Sequence, residues 1–240
     1  MSGHSKWATI HRKKGELDQQ RGKVFQKIAK EIYVAARGTD GNPEHNPSLR
    51  AVLEKARSNN MPKDNIQKAI EKATGGQDGA NYESVRYEGY GHGGVAFIVD
   101  CLTDNRNRTA SQVRSSFTKA GGNLGTDGSV SYMFERRGSI VIAKEYDEDT
   151  MMMASLDAGA LDFETVEDGY VITTPADKFT AVKEALETAG VKEFQVCEIT
   201  YVPNMEVTLD EEGAEKVHRL VDTLEDLDDV QDVYYNLKED

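Results

Sequence analysis

Apolar side chains recur at steps of three and four residues along three successive stretches near the start of the chain. The first stretch begins at Leu17, the second at Asn46-Pro47 and the third at Met61-Pro62. This spacing is typical of amphipathic helices, and the glycines and asparagines between the stretches mark where each helix ends. We therefore predict a three-helix bundle, preceded over residues 1–16 by an exposed arm without apolar periodicity.

After residue 80 the pattern changes to short runs of β-branched and aromatic residues, which predict strands. Two such strands and a helix precede Val130–Phe134, which we predict to be a third strand. Residues 139–202 then show the order strand, helix, strand, strand, helix, strand, which is that of a ferredoxin-like sandwich. A strand at Glu206–Leu209, a helix and a last strand form a tail that is too short to fold alone.

These elements predict an α+β fold of three domains. Residues 1–76 form the basic arm and the helical bundle. Residues 77–136 and 204–240 form a discontinuous α/β domain, and residues 137–203 form a second α/β domain inserted between its halves. We expect the α/β domains to be of the ferredoxin-like kind. The sequence leaves the oligomeric state open, with a monomer slightly favoured.

Charge is distributed unevenly along the chain. The net charge is −13, but residues 1–76 hold 15 basic and 8 acidic residues, and residues 1–30 alone hold 8 basic and 2 acidic. The remaining 164 residues carry a net charge of −20. Because phosphate groups bind to cations, the N-terminal part is a candidate surface for nucleic acid in spite of the acidic average.

Other functional classes have little support in the sequence. No apolar run reaches the roughly 20 residues of a membrane span, and the start lacks the apolar core of a secretion signal, so we expect a cytoplasmic protein without a membrane partner. Cys101 and Cys197 lie far apart, so we expect two free thiols. The chain has no metal-ligand spacing, nucleophile elbow or Walker sequence, so we expect no catalytic residues, no metal and no cofactor.

The candidate nucleic-acid contacts lie in the arm, on the lysine-rich face of the first helix and at one later helix start. Trp7 is the only tryptophan and lies among cations, where it could stack on an unpaired base. The alternative is that the cations are solvated and Trp7 packs on the bundle. The predicted contacts are His4, Lys6, Trp7, His11, Arg12, Lys13, Lys14, Arg21, Lys23, Lys27, Lys30, Arg106 and Arg108.

The segment Asp104–Thr109 opens a predicted helix and has two interpretations. Arg106 and Arg108, with the backbone N–H groups of the first turn, could bind a phosphate. Alternatively, Asn105 or Asn107 simply caps the helix. The residues alone favour neither interpretation.

Two more features have structural explanations. The glycine-rich segments Gly89–Gly94 and Gly121–Gly128 are more typical of turns than of nucleotide sites. The acidic residues between Glu211 and Asp229 are interpreted as the solvated face of one helix. An alternative is that this acidic surface docks a basic protein.

Seven short motifs follow one another along nearly the whole chain. They are Gly3-His-Ser-Lys-Trp7, Arg21-Gly-Lys23, Ser58-Asn-Asn-Met61, Tyr87-Glu-Gly-Tyr-Gly91, Asp104–Thr109, Gly121–Val130 and Asp228-Asp-Val-Gln231. In this order they resemble the YebC/PmpR family. The resemblance implies a helical N-terminal domain, two α/β domains and no enzymatic activity. It also implies a probable transcriptional regulator that binds DNA, although some relatives are described as translation factors that act on the ribosome and help synthesis through proline-rich stretches.

Physical arguments and the resemblance favour different nucleic acids. Lysine against phosphate gives affinity without sequence information. An arm with Trp7 and two histidines suits irregular single-stranded RNA, such as rRNA, whereas the resemblance points to DNA. We therefore predict a non-enzymatic, DNA-binding regulator of gene expression. The alternatives are a translation factor that binds rRNA on the ribosome and a protein adaptor that uses the acidic surface.

Overall fold

The computed structural model describes residues 17–75 and 81–238. Within these ranges it contains seven α-helices and two four-stranded antiparallel sheets, which confirms the α+β prediction. The helices are α1 (Leu17–Ala36), α2 (Pro47–Ser58), α3 (Lys63–Thr74), α4 (Arg106–Lys119), α5 (Glu148–Asp157), α6 (Phe179–Thr188) and α7 (Glu211–Glu225). The strands are β1 (Glu83–Tyr90), β2 (Ala96–Thr103), β3 (Asn123–Leu124), β4 (Phe134–Ala143), β5 (Asp162–Val166), β6 (Gly169–Pro175), β7 (Val196–Pro203) and β8 (Val230–Tyr235).

Helices α1, α2 and α3 pack into the predicted bundle. Helix α2 begins after Asn46, whose side-chain oxygen accepts a hydrogen bond from the N–H of Leu49 at 3.0 Å, and Pro47 fills the first turn. The core of the bundle includes Ile32 of α1, Leu49 of α2 and Ala69 of α3. These residues lie on the apolar stripes from which the helices were predicted.

The first sheet has the strand order β3-β1-β2-β8, and every neighbouring pair is antiparallel. Helices α4 and α7 share its core: Phe97 of β2, Phe117 of α4 and Leu220 of α7 are all buried in one cluster. The rings of Phe97 and Phe117 meet edge to face with centroids 5.6 Å apart. The tail therefore completes this sheet, as the sequence indicated.

The predicted strand Val130–Phe134 is wrong. Residues Ser131–Met133 form a 3₁₀ turn, and Phe134 opens β4. The two-residue strand β3 takes the edge of the first sheet instead. The N–H groups of Val130 and Ser131 donate to the side-chain carboxylate of Glu88 at 2.7 and 2.9 Å, so they are unavailable to a sheet ladder.

The predicted strand Glu206–Leu209 is also wrong, because only Val207 pairs, in a single parallel bridge to Leu237. Side-chain hydrogen bonds add to the two backbone hydrogen bonds of Val207 in holding this part of the chain. The amide of Asn236 accepts from the N–H of Ala96 at 2.7 Å and donates to the carbonyl of Met205 at 3.1 Å. One buried asparagine thus joins the tail to the start of β2.

The second sheet has the order β5-β6-β4-β7 and is antiparallel throughout. With its elements in the chain order β4-α5-β5-β6-α6-β7, this is the ferredoxin-like arrangement predicted for the segment. Its core contains Ile140 of β4, Met151 of α5 and Val182 of α6, all buried. Both helices therefore cover the same face of the sheet.

Contacts divide the described chain into two compact units. One extends to Met133 and resumes at Met205, and the other comprises Phe134–Asn204. The second unit is thus inserted between two parts of the first. The bundle and the first sheet belong to one unit, so the division into three domains (residues 1–76, 77–136 with 204–240, and 137–203) stays a prediction.

Candidate nucleic-acid interface

The predicted basic arm, residues 1–16, lies outside the described residues. This applies to seven of the predicted contacts, which are His4, Lys6, Trp7, His11, Arg12, Lys13 and Lys14. Arg21 belongs to α1, and its side chain is not described. The structure places the side chains of Lys23, Lys27, Lys30, Arg106 and Arg108.

The lysine-rich face of α1 lies against the C-terminal end of α7. Lys23 Nζ is 2.8 Å from Asp226 Oδ1, and Lys27 Nζ donates to the carbonyl oxygen of Glu225 at 2.7 Å. Lys30 Nζ donates to the carbonyl oxygen of Asp228 at 2.8 Å and lies 3.2 Å from Asp229 Oδ1. All three predicted lysine contacts are therefore engaged within the protein.

The physical chemistry of a helix end explains this arrangement. The last four carbonyl groups of a helix lack intrahelical partners and carry partial negative charge. Directly after α7 the carboxylates of Asp226, Asp228 and Asp229 add full charges beside them. Burial lowers the pKa of Lys27, whereas the hydrogen bond to Asp226 raises the pKa of Lys23. The two faces of α1 thus have different roles, since one builds the bundle and the other neutralises the end of α7.

Asp229 is the centre of this contact and was misinterpreted from the sequence. It is only 4% exposed, so it does not belong to a solvated acidic face. Its Oδ2 accepts from Nη2 of Arg108 at 2.6 Å and from the hydroxyl of Thr109 at 2.8 Å, while its Oδ1 faces Lys30. Burial would raise the pKa of Asp229, but the hydrogen bonds from Arg108, Thr109 and Lys30 outweigh that effect and hold the pKa below the usual value.

In the segment Asp104–Thr109 the structure shows a helix cap, which was one of the two interpretations of the sequence. Asn105 caps α4 by accepting a hydrogen bond from the N–H of Arg108 at 3.0 Å. The Arg108 guanidinium also lies 2.8 Å from Asp104, in addition to its contact with Asp229. Arg106 is exposed. The two predicted arginine contacts therefore differ, since the charge of Arg108 is already neutralised by carboxylates of the protein.

The glycine-rich segments enclose a carboxylate of the protein itself. The buried Glu88 side chain accepts hydrogen bonds from the N–H groups of Gly128, Val130 and Ser131 at 3.0, 2.7 and 2.9 Å. Burial opposes ionisation of Glu88, but these three hydrogen bonds together lower its pKa. An anion-binding turn therefore exists here, with Glu88 as its anion.

Close backbone approach explains why glycine is needed at this place. A Cβ on Gly122 would lie 2.5 Å from the carbonyl oxygen of Tyr90, and a Cβ on Gly89 would lie 2.6 Å from that of Asn123. Both distances are shorter than real contacts allow, and backbone atoms cannot move aside easily. The glycines bring β1 and β3 together, as expected for turns rather than nucleotide sites.

A groove beside β1 and β2 is lined by charged side chains, and these side chains form ion pairs with one another. Arg86 forms two hydrogen bonds with Asp100, at 2.7 and 2.8 Å. Lys55 Nζ lies 2.8 Å from Glu31 and 3.8 Å from Asp232. Among residues 17–75 and 81–238, no cluster of His, Cys, Asp and Glu side chains has the arrangement of a metal site.

The structure also describes the state of the two cysteines and the character of the helices. Neither Cys101 nor Cys197 is in a disulfide bond. Cys101 is buried, and its burial raises its pKa to about 12, so it is protonated at neutral pH. Cys197 is half-buried in the other unit. In the part of the chain that the structure describes, none of the helices has the length and apolar character to cross a membrane.

Comparison with known proteins covers almost the whole chain. The model described as the TACO1/YebC protein N-terminal domain matches residues 5–76, and the model described as the TACO1/YebC second and third domain matches residues 82–237. A probable transcriptional regulatory protein of Geobacillus sp. (strain WCH70) is 55% identical over 242 residues, covering 100% of this chain and 98% of the relative. One of Pectobacterium atrosepticum is 52% identical over 237 residues, covering 98% and 96%.

A solved structure agrees with the fold. The crystal structure of a conserved hypothetical protein from Aquifex aeolicus superimposes with a TM-score of 0.82. The two chains are 47% identical, and the match covers 92% of each. Sequence and structure therefore indicate the same relationship.

Proposed function

We propose that the chain, which belongs to the TACO1/YebC family, is a non-enzymatic DNA-binding regulator of gene expression that acts in the cytoplasm. The observation that carries the proposal is the charge of the N-terminal region. Residues 1–30 contain 8 basic and 2 acidic residues in a protein whose net charge is −13. Such a local excess of cations is what release of counterions from a phosphate backbone requires.

The names of the relatives support a role in gene regulation. Proteins more than 50% identical over nearly their full length are named probable transcriptional regulatory proteins. The charged groove beside Arg86 and Asp100 has its acidic and basic groups paired with one another. That pairing argues for stability rather than for acid–base chemistry, which favours a binding protein over an enzyme.

The internal contacts of the three α1 lysines indicate which predicted residues bind nucleic acid first. Lys23, Lys27 and Lys30 can reach a phosphate only by giving up oxygens of the α7 end. The cations of residues 6–21 precede this contact in the chain, so we assign them the first contact with nucleic acid. The lysines of α1 would then contact the nucleic acid only where a phosphate group replaces Asp226 or its neighbours as their hydrogen-bond partner.

A second candidate target is single-stranded RNA, including rRNA on a ribosome. Trp7 and two histidines lie among the cations of the arm, and an aromatic ring can stack on an unpaired base but not on the edges of an intact duplex. The acidic remainder of the chain, with a net charge of −20 after residue 76, would also be repelled by a long duplex. A protein adaptor is the third candidate.

A salt series on both nucleic acids tests the proposal. We expect the affinity for a duplex DNA to fall linearly with salt on a double logarithmic scale, because each phosphate contact releases counterions. Lys6→Glu/Trp7→Ala should weaken binding to both nucleic acids, because it replaces a cation with an anion. On single-stranded RNA the loss should be about tenfold or more, since one base stack is worth about 1–3 kcal/mol. The matched control Lys68→Glu/Tyr132→Ala changes an exposed lysine and an exposed aromatic elsewhere and should bind normally.

The same experiment separates the three candidates. Trp7 is the only tryptophan, so its fluorescence reports stacking directly. Quenching by single-stranded RNA together with tighter binding to RNA than to duplex DNA would favour the second candidate. A slope near zero for both nucleic acids would contradict nucleic-acid binding and leave the adaptor.

Release of Lys23 provides a separate prediction. The Lys23–Asp226 pair is exposed, with side chains 49% and 61% accessible, so Asp226→Asn should free the ammonium without unfolding the protein. If Lys23 contacts phosphate, the salt slope on duplex DNA should become steeper by about 0.9 and the affinity should rise. Glu212→Gln is the control, because it breaks a similar exposed pair with Lys216 in the first turn of α7. Equal behaviour of both variants would remove Lys23 from the binding surface.

A further inference from the structure

Helix α4 is a basic element inside an acidic part of the protein. Residues after position 76 contain 14 basic and 34 acidic residues, yet α4 holds four of the basic residues and none of the acidic ones. The segment free of Asp and Glu extends from residue 105 to residue 126. A solvated helix needs no such segregation, because charges of both signs keep a surface soluble.

The two faces of α4 differ in a way that fits binding. Thr109, Val113, Ser116 and Phe117 are buried, and Val113 and Phe117 belong to the core shared with the first sheet and α7. The opposite face bears hydroxyl, amide and cationic groups at three- and four-residue steps, all exposed. Its members are Asn107, Ser111, Arg114, Ser115, Thr118 and Lys119. At about 1.5 Å per residue this stripe is about 18 Å long.

The cations of this stripe are not neutralised by the protein. Lys23, Lys30 and Arg108 each lie within 3.2 Å of a carboxylate oxygen. Across the described ranges, by contrast, Arg114 and Lys119 form no ion pair. Their charge is therefore available to an external anion, and no internal contact has to be broken first.

We infer that the outer face of α4 binds the phosphodiester backbone of the nucleic acid, as a surface separate from the N-terminal basic residues. Phosphate oxygens in protein–nucleic acid complexes accept hydrogen bonds from Arg and Lys and also from Ser, Thr and Asn side chains. The stripe offers these groups on one face of the helix, namely two cations, three hydroxyls and one amide. Contacts of this kind give affinity and orientation without reading the sequence.

A buried carboxylate connects the first turn of α4 with the lysine-rich face of α1. Asp229 Oδ2 lies 2.6 Å from Nη2 of Arg108 in the first turn of α4, and its Oδ1 lies 3.2 Å from Nζ of Lys30. Both helices are thus fixed to one residue of the same compact unit.

The inference rests on the proposed nucleic-acid binding, and its test separates the two. Arg114→Gln/Lys119→Gln removes two positive charges from α4. Lys216→Gln/Arg219→Gln removes two from α7 and is the matched control. Each protein is titrated with a 20-base-pair duplex DNA and with a single-stranded RNA over a series of salt concentrations. Circular dichroism and the melting temperature verify that the variants fold.

We expect the α4 variant to lose about two phosphate contacts. The slope on duplex DNA should become shallower by about 1.8, and the affinity at 0.15 M salt should fall about tenfold or more, since the slope is about 0.9 per phosphate. The α7 variant should keep the slope of the original protein. Arg114→Lys should also keep it, because the charge that contacts the phosphate is retained.

Each other result overturns a definite statement. A slope near zero for the unaltered protein on both probes contradicts the proposed function. Suppose that the unaltered protein shows the expected slope, and that the α4 and α7 variants are either both unchanged or both reduced. This result contradicts the α4 surface and leaves the proposed nucleic-acid binding intact. A shallower slope of the α4 variant with single-stranded RNA alone contradicts the contact of α4 with duplex DNA.

Discussion

Asp229→Ala is expected to lower the free energy of unfolding by about 3 kcal/mol, because it removes a buried acceptor that several donors share. The buried carboxylate accepts from Arg108 at 2.6 Å and from Thr109 at 2.8 Å, and it lies 3.2 Å from Lys30. The backbone of residue 229 stays paired, since its carbonyl accepts from the N–H of Leu102 at 2.8 Å. The decrease in the free energy of unfolding therefore reports the contribution of the Asp229 side chain. Urea unfolding followed by circular dichroism provides the measurement.

The matched control is Asp226→Ala, three residues earlier in the same segment. Its pair with Lys23 is exposed, and exposed ion pairs contribute only about 0–1 kcal/mol. A difference of about 2 kcal/mol or more between the variants is expected. Equal destabilisation by the two would show that Asp229 acts as one more surface charge, contrary to its burial.

Glu88→Gln is expected to destabilise the protein by about 2 kcal/mol, the second-largest effect. The carboxylate accepts three backbone N–H groups of residues 128–131, and a glutamine amide has only one oxygen to offer them. The amide nitrogen would also point a donor at one of those donors. Glu83→Gln, an exposed position at the start of the same strand, should change the stability by less than about 0.5 kcal/mol.

The pH dependence provides an independent check on Glu88. Its pKa in the folded protein is below the ordinary value of 4.5, so ionisation favours folding. This contribution is fully present above pH 4.5 and is lost as the pH falls below it towards the folded pKa. The difference in stability between the original protein and Glu88→Gln should therefore shrink on acidification from pH 7 to pH 3.5. A constant difference would mean that the charge of Glu88 plays no part.

The helices and most strands could be predicted because their signals are local. The apolar stripe of α1 and the cap of α2 at Asn46 depend on residues within four positions of one another. The strands around Ile140 and Ile172 follow from runs of buried β-branched residues. Family resemblance is likewise a property of the sequence, and the comparisons confirm it.

The failed strand prediction at Val130–Phe134 has a different cause. Its apolar and polar residues are compatible with a strand, but a carboxylate 42 positions earlier accepts the N–H of Val130. Nothing local to residues 128–131 reveals that partner. The glycines before it were correctly assigned to turns, although the structure adds Glu88 as the anion that the turn encloses.

The candidate interface was predicted in composition but not in its contacts. Lysines on α1 were found from periodicity, whereas their hydrogen-bond partners lie about 200 positions away, at the end of α7. At α4 the sequence pointed to Arg106 and Arg108, which do not belong to the exposed stripe. The sequence did not show that Arg108 is held by Asp229 while Arg114 and Lys119 stay exposed.

By itself, the sequence determined the family, the α+β class, the helices and the separation of a basic N-terminal region from an acidic remainder. These are properties of residue type and of spacing along the chain. The tertiary structure decided which charges are free and which are neutralised inside the protein, and which glutamate and aspartate are buried. The physical reason is that the free energy of a charge depends on what surrounds it in space, and folding brings Lys30, Arg108 and Asp229 together from three distant parts of the chain.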